Sequence, residues 1–197
     1  MASDRDNTRR AAAQGQAESP ELQSSELQIS ENVTFEQAIA LTQAWLDRVE
    51  QTQLSPDQTE RAIAQLIATM NGARGFFVAF LTDKRPLDDR SSDAVLRALS
   101  QPSAMIASLL VKNLAMSSAM AIAHQRREDE ANAQGSERVR SRTLDLIQNL
   151  SSPVIQTEIE ALKQSLESNE GTYHSFLTRW GYDAEQRQAI DAACDCL

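Results

Sequence analysis

Histidine, cysteine, glycine, proline and aromatic residues are all scarce in this chain, and each shortage removes a class of protein. Two cysteines, Cys194 and Cys196, cannot form the disulfide framework of a small secreted domain. Two histidines, His124 and His174, stand in no HExxH or ExxH spacing that would set metal ligands on one helix face. The six glycines make no P-loop, no GxGxxG and no GxSxG elbow. Five prolines and no run of alternating apolar residues leave no series of strands to pair. With only 5% aromatic residues, the core must be aliphatic. Basic residues are also in deficit. Nineteen Lys and Arg against 28 Asp and Glu give a net charge of −9, which argues against a general nucleic-acid binder. The first residues, MASDRDNTRR, contain no apolar segment of the kind a secretory signal needs, so a reducing cytoplasm is expected.

What the chain does have is one long apolar stretch, Ser103 to His124. Met105, Ile106, Leu109, Leu110, Leu114, Met116, Met120 and Ile122 leave no wide polar stripe. A helix that is apolar all round is buried in a protein or in a membrane. Lys112 and Asn113 lie at its middle, where a bilayer would penalise the lysine by about 2.5–3.5 kcal/mol. The stretch therefore predicts the buried central helix of an all-α bundle, with no membrane span.

Residues 1–32 are rich in Ser, Gln, Glu, Asp and Ala and show no sustained apolar period, so they predict a disordered tail ahead of a helical domain over 33–197. Within the tail, ELQSSELQIS could become helical against a partner. Thr34 with Gln37, Ser55 with Gln58 (Pro56 between them), and Asp183 with Gln186 each match a capping box opening a helix. Asn71-Gly72-Ala73-Arg74-Gly75 interrupts an apolar period and predicts a helix broken at the glycines. Ser91 or Ser92 would cap a short helix over 93–100. The central helix is expected to run on to a stop at Gly135, with Ser136 capping the next one. Ser152-Pro153 opens a further helix, Thr172 would cap a short one, and Gly181 ends it. About seven or eight helices result, with no repeat that would indicate a solenoid.

Several residues are candidates for chemistry. Lys112 and Asn113 could line a pocket beside the central helix, together with His124 at its end and Arg74 in the glycine segment. For Lys112 and Asn113, the competing reading is a polar edge on which the lysine extends to solvent and the asparagine bonds a neighbouring backbone. Arg126, Arg127, Arg138, Arg140 and Arg142 surround the expected turn at Gly135 and form a candidate interaction surface, diluted by Glu128, Asp129, Glu130 and Glu137. Ala115, Ala119 and Ala123 form a small-residue ladder against which another helix could pack closely, inside the fold or across a homodimer. Neither a catalytic constellation nor a metal or cofactor site is expected, because Cys194-Asp195-Cys196 lacks the usual CxxC spacing. These features together predict a non-catalytic interaction protein, such as an assembly factor, adaptor or regulatory subunit, with a protein partner. The alternative is a small-ligand protein or enzyme with a pocket beside the central helix. A third reading is anion or nucleic-acid contact at the arginine-rich turn.

Overall fold

The computed structural model describes residue 29 and residues 32–51, 53–86 and 89–197. The described residues form nine helices and no strand. These are α1 (Phe35–Glu50), α2 (Pro56–Leu66), α3 (Met70–Thr82), α4 (Asp89–Ala98), α5 (Ala104–Gln125), α6 (Glu130–Leu150), α7 (Pro153–Ser168), α8 (His174–Trp180) and α9 (Ala184–Cys194). Apart from Ile29 and Asn32, the expected tail, with its ELQSSELQIS segment, lies outside the described residues.

Three helix starts follow directly from the sequence. Thr34, Ser55 and Asp183 each accept from the backbone N–H three residues on, and Gln37, Gln58 and Gln186 reciprocate. These bonds close within one turn, so neighbouring elements have little say in them. Gly181 ends α8 in the left-handed conformation, as expected.

Four expected boundaries are corrected. The break before α3 falls at residues 67–69, and Thr69 is its N-cap, so Gly72 and Gly75 lie inside the helix. They are glycines because other atoms come too close for a side chain. A Cβ on Gly72 would meet the Leu66 carbonyl oxygen at 1.9 Å, and one on Gly75 would meet the Ala38 Cβ at 2.5 Å. Gly135 is likewise helical. Asp129 caps α6 by accepting from the Asn132 N–H at 3.2 Å, and Glu128 takes the left-handed turn with φ +56°. Ser136 is therefore mid-helix. The third correction is α4, which begins at Asp89 and so contains both Ser91 and Ser92. Finally, Tyr173 rather than Thr172 occupies the cap position of α8, without a side-chain bond.

One buried cluster runs from Val33 to Cys194. Its first part packs α1 against α3 in the same direction. Gly75 touches the start of α1, while Arg85, just past α3, bonds Asp47 at 2.5 Å and Glu50 at 3.2 Å near its end. Trp45, Phe76 and Phe80 fill this contact, with the two phenylalanines stacked at 5.2 Å. The second part surrounds α5 with α6, α7 and α9. By length and composition α5 could cross a membrane, but Leu110, Val111, Leu114, Ala115 and Ala119 are fully buried by these neighbours. The alanine ladder is thus filled from inside the fold: Gln186 of α9 reaches α5 to donate to the Ala119 carbonyl at 3.1 Å.

Candidate functional site

Successive residues on a helix point about 100° apart, which separates Lys112 from Asn113. The Lys112 ammonium lies 5.7 Å from the centre of the Tyr173 ring. Tyr173, almost fully buried, donates its hydroxyl to Glu158 at 2.5 Å and lies 3.4 Å from the Ser108 hydroxyl. Burial first, and then the Glu158 carboxylate, pushes this phenol well above the usual tyrosine range. It stays protonated and is no general base. Lys112 thus lies against an aromatic neighbour in a cation–π contact.

Asn113 instead opens into a groove of about 540 Å³ between α5, α6 and the end of α3. Met116, Met120 and Val139 give it apolar surface, and Asn113, Ser117, Asn132 and Ser136 supply polar groups. His124 and Arg138 line it too, as does Lys84 from the loop after α3. None of the described lining residues is acidic, in a chain holding 28 Asp and Glu. Neither Lys84 nor Arg138 takes part in an ion pair among the described residues. Asp129 stands behind one end, holding the Asn132 amide at 2.6 Å and lying 3.8 Å from His124 Nδ1. That nitrogen is buried and has no hydrogen-bond partner.

The structure thus brings Asn113, His124 and Arg138 into one site and distributes the other candidates elsewhere. Arg74 lies on the outer face of α3 with its guanidinium 5.3 Å from the Phe35 ring centre. Arg126 is bound by Asp183 and Glu185, and it holds the Asp183 carboxyl down at about 2. Arg140 pairs with Glu137 on the same helix. Arg127 is exposed at the α5–α6 turn. Arg142 points into the fold, donating to the carbonyls of Phe80 at 2.7 Å and Arg85 at 2.6 Å. Because the turn falls at residues 126–129 rather than at Gly135, the five arginines do not share one basic end. Lys84 was not visible as a site residue. Its loop, TDKRPLDD, has no periodicity, and the parallel packing of α3 on α1, together with Arg142 of α6, sets where that loop lies.

A second cavity, of about 250 Å³, opens between α3, α4 and α6 beside Phe80, Val95 and Leu146. Among its described lining residues the one cationic group is Arg142, already held by two carbonyls. No group of three or more His, Cys, Asp or Glu side chains able to hold a metal ion occurs among the described residues.

Both cysteines are free thiols, Cys194 buried and Cys196 exposed. Burial, reinforced by Asp191, pushes the Cys194 thiol up to about 12. At pH 8 its thiolate fraction is then about three orders of magnitude below that of an ordinary thiol. Iodoacetamide is expected to modify Cys196 in the native chain, with Cys194 reacting at least ~100-fold more slowly until the protein is unfolded. Equal rates, read by peptide mass, would mean that the last turn of α9 is not packed. The folded-state pKa lies above the unfolded value, so the associated stability is intact below pH ~8.5 and is lost as pH rises toward 12.

A family model described as Uncharacterised conserved protein UCP020893 matches residues 34–196, from the cap of α1 through α9. No curated protein and no solved structure matches the chain. With its whole helical bundle inside the matched span, the chain belongs to that family.

Proposed function

We propose that this is a non-catalytic interaction protein that holds an acidic, partly apolar segment of a partner protein in the groove between α5 and α6. The observation that carries the reading is the absence of any acidic side chain among the described lining residues of the groove, in a chain with a net charge of −9. An acidic segment would find Lys84 and Arg138 without internal partners, while repulsion from the rest of the surface would disfavour binding elsewhere. Met116 and Met120 are flexible and polarizable, which suits them to take up apolar side chains of varied shape. Asn113 and Ser136 can bond a peptide backbone. The core itself is filled, and a groove open along its length favours an extended or helical segment over an enclosed small molecule. Two free thiols fit a reducing, cytoplasmic setting.

Native mass spectrometry of the full chain, purified gently from its own source, tests this. A partner at fixed stoichiometry is expected with the wild-type chain and is expected to fall at least ~10-fold with Lys84→Glu/Arg138→Glu, a loss of about 1.4 kcal/mol or more. Neither side chain forms an ion pair among the described residues, so the double variant should melt within about 2 °C of wild type. Retention of the partner by the variant would overturn the reading. A bare chain carrying extra small-molecule mass would favour a second reading, a small anionic ligand with an apolar body. The observation behind that alternative is the buried, partnerless Nδ1 of His124 in the groove wall.

A further inference from the structure

We propose that residues 18–28 of this same chain occupy the α5–α6 groove in cis and compete there with the partner. The inference rests on the reading that the groove takes an acidic segment, and it names a second, built-in occupant.

Charge is segregated along the N-terminal arm. Residues 1–17 carry Arg5, Arg9 and Arg10 against Asp4 and Asp6. Residues 18–28, ESPELQSSELQ, carry Glu18, Glu21 and Glu26 with Leu22 and Leu27, and no basic residue at all. This is the composition the groove calls for: carboxylates for Lys84 and Arg138, and leucines for Met116 and Met120. Its attachment point is also fixed. Ile29 packs against the core and Val33 is only 4% exposed, so the acidic block directly precedes a residue held by the fold.

The anchor at Ile29 sets the reach of the arm. The start of α1 lies level with Gly75, and Thr82 at the groove is seven residues further along the parallel helix α3. That distance is about 10 Å at 1.5 Å per residue. Leu22, seven residues before the Ile29 anchor, can lie up to about 23 Å from it when the chain between them is extended. Tethering supplies the affinity. A short flexible linker holds its segment at an effective concentration on the order of 1 mM. A segment whose free form binds with Kd of about 1 mM would then fill about half of the grooves, and a tenfold tighter one about nine-tenths. The partner must displace it, so the arm sets a threshold for partner binding.

The test uses the full chain with Leu22→p-benzoylphenylalanine, irradiated and mapped by mass spectrometry. The expected result is an intramolecular cross-link to α5 or α6 at Met116 or Met120, reduced at least ~10-fold by Lys84→Glu/Arg138→Glu. Adding Glu18→Lys, Glu21→Lys and Glu26→Lys to that variant should restore it, because the charges are exchanged across the contact. No cross-link to α5 or α6, or one insensitive to the groove charges, overturns the proposal. Cross-links only between two copies overturn its cis form. A fluorescein-labelled peptide of residues 18–28, titrated into the full chain carrying the three lysine changes in its arm, separates the two claims. Peptide binding lost with Lys84→Glu/Arg138→Glu, but without a cis cross-link, retires the arm and leaves the groove reading standing. Neither signal retires both.

Discussion

Replacing Arg142 by methionine is expected to cost about 3 kcal/mol in urea unfolding, among the larger effects for a partly exposed side chain. The guanidinium donates to the Phe80 carbonyl at 2.7 Å and the Arg85 carbonyl at 2.6 Å, and its carbon lies 6.0 Å from the Phe80 ring centre. Phe80 is in the last turn of α3, where carbonyls lack intrahelical donors and the helix dipole is negative. Arg142 therefore joins α6 to the end of α3 and to the loop that carries Lys84. Hydrogen bonds from a charged donor contribute roughly 1.5–3 kcal/mol each, discounted here because part of the group meets solvent. Methionine keeps much of the stem packing and removes both donors, so the loss reports the polar link. Lysine, a point donor without the planar fork, should recover less than half of it. Amide hydrogen exchange over residues 80–85 should quicken in step. A variant with wild-type stability would sink the idea that Arg142 joins these elements.

Gly75→Ala is expected to lower the melting temperature by about 4–8 °C, while the same change at Gly135 raises it by about 2–4 °C. Alanine favours a helix interior over glycine by about 1 kcal/mol at either position. At Gly135 nothing lies within 4 Å of the added Cβ, so that gain appears undiminished. At Gly75 the Cβ would sit 2.5 Å from the Ala38 Cβ and 2.7 Å from the Phe35 carbonyl oxygen. Neither neighbour can rotate away. The helices must separate, at a cost of about 3 kcal/mol, the upper part of the usual overpacking range. The net loss of about 2 kcal/mol converts at roughly 2–4 °C per kcal/mol for a domain of this size. Calorimetric melts of the two variants read opposite signs. A stabilised Gly75→Ala would mean that α1 and α3 are not in close contact, and a destabilised Gly135→Ala would return that glycine to a helix end.

The helical class and the central helix could be read before the structure for the same reason as the three capping boxes. Each rests on bonds or periodicities contained within a few residues. Gly135 shows where that reasoning stops. Glycine often follows a helix, yet Asp129 capping Asn132 and the left-handed Glu128 placed the turn earlier and left Gly135 mid-helix. Gly72 and Gly75 show the converse, a glycine pair that looked like punctuation and serves close packing.

For the groove, the sequence offered Asn113, His124 and Arg138 as separate suggestions mixed with others of equal weight. It had no means of adding Lys84, or of setting aside Arg142. The sequence by itself determined the helix class, most helix starts and the single long apolar helix over 104–124, since these depend on local bonds and on the apolar content of one segment. Only the tertiary structure decided that Lys84 and Arg138, 54 positions apart by their numbers, line one groove with no acidic residue among its described lining. That depends on α1 and α3 running parallel at glycine distance and on Arg142 fixing the end of α3, contacts whose partners lie tens of residues away along the chain.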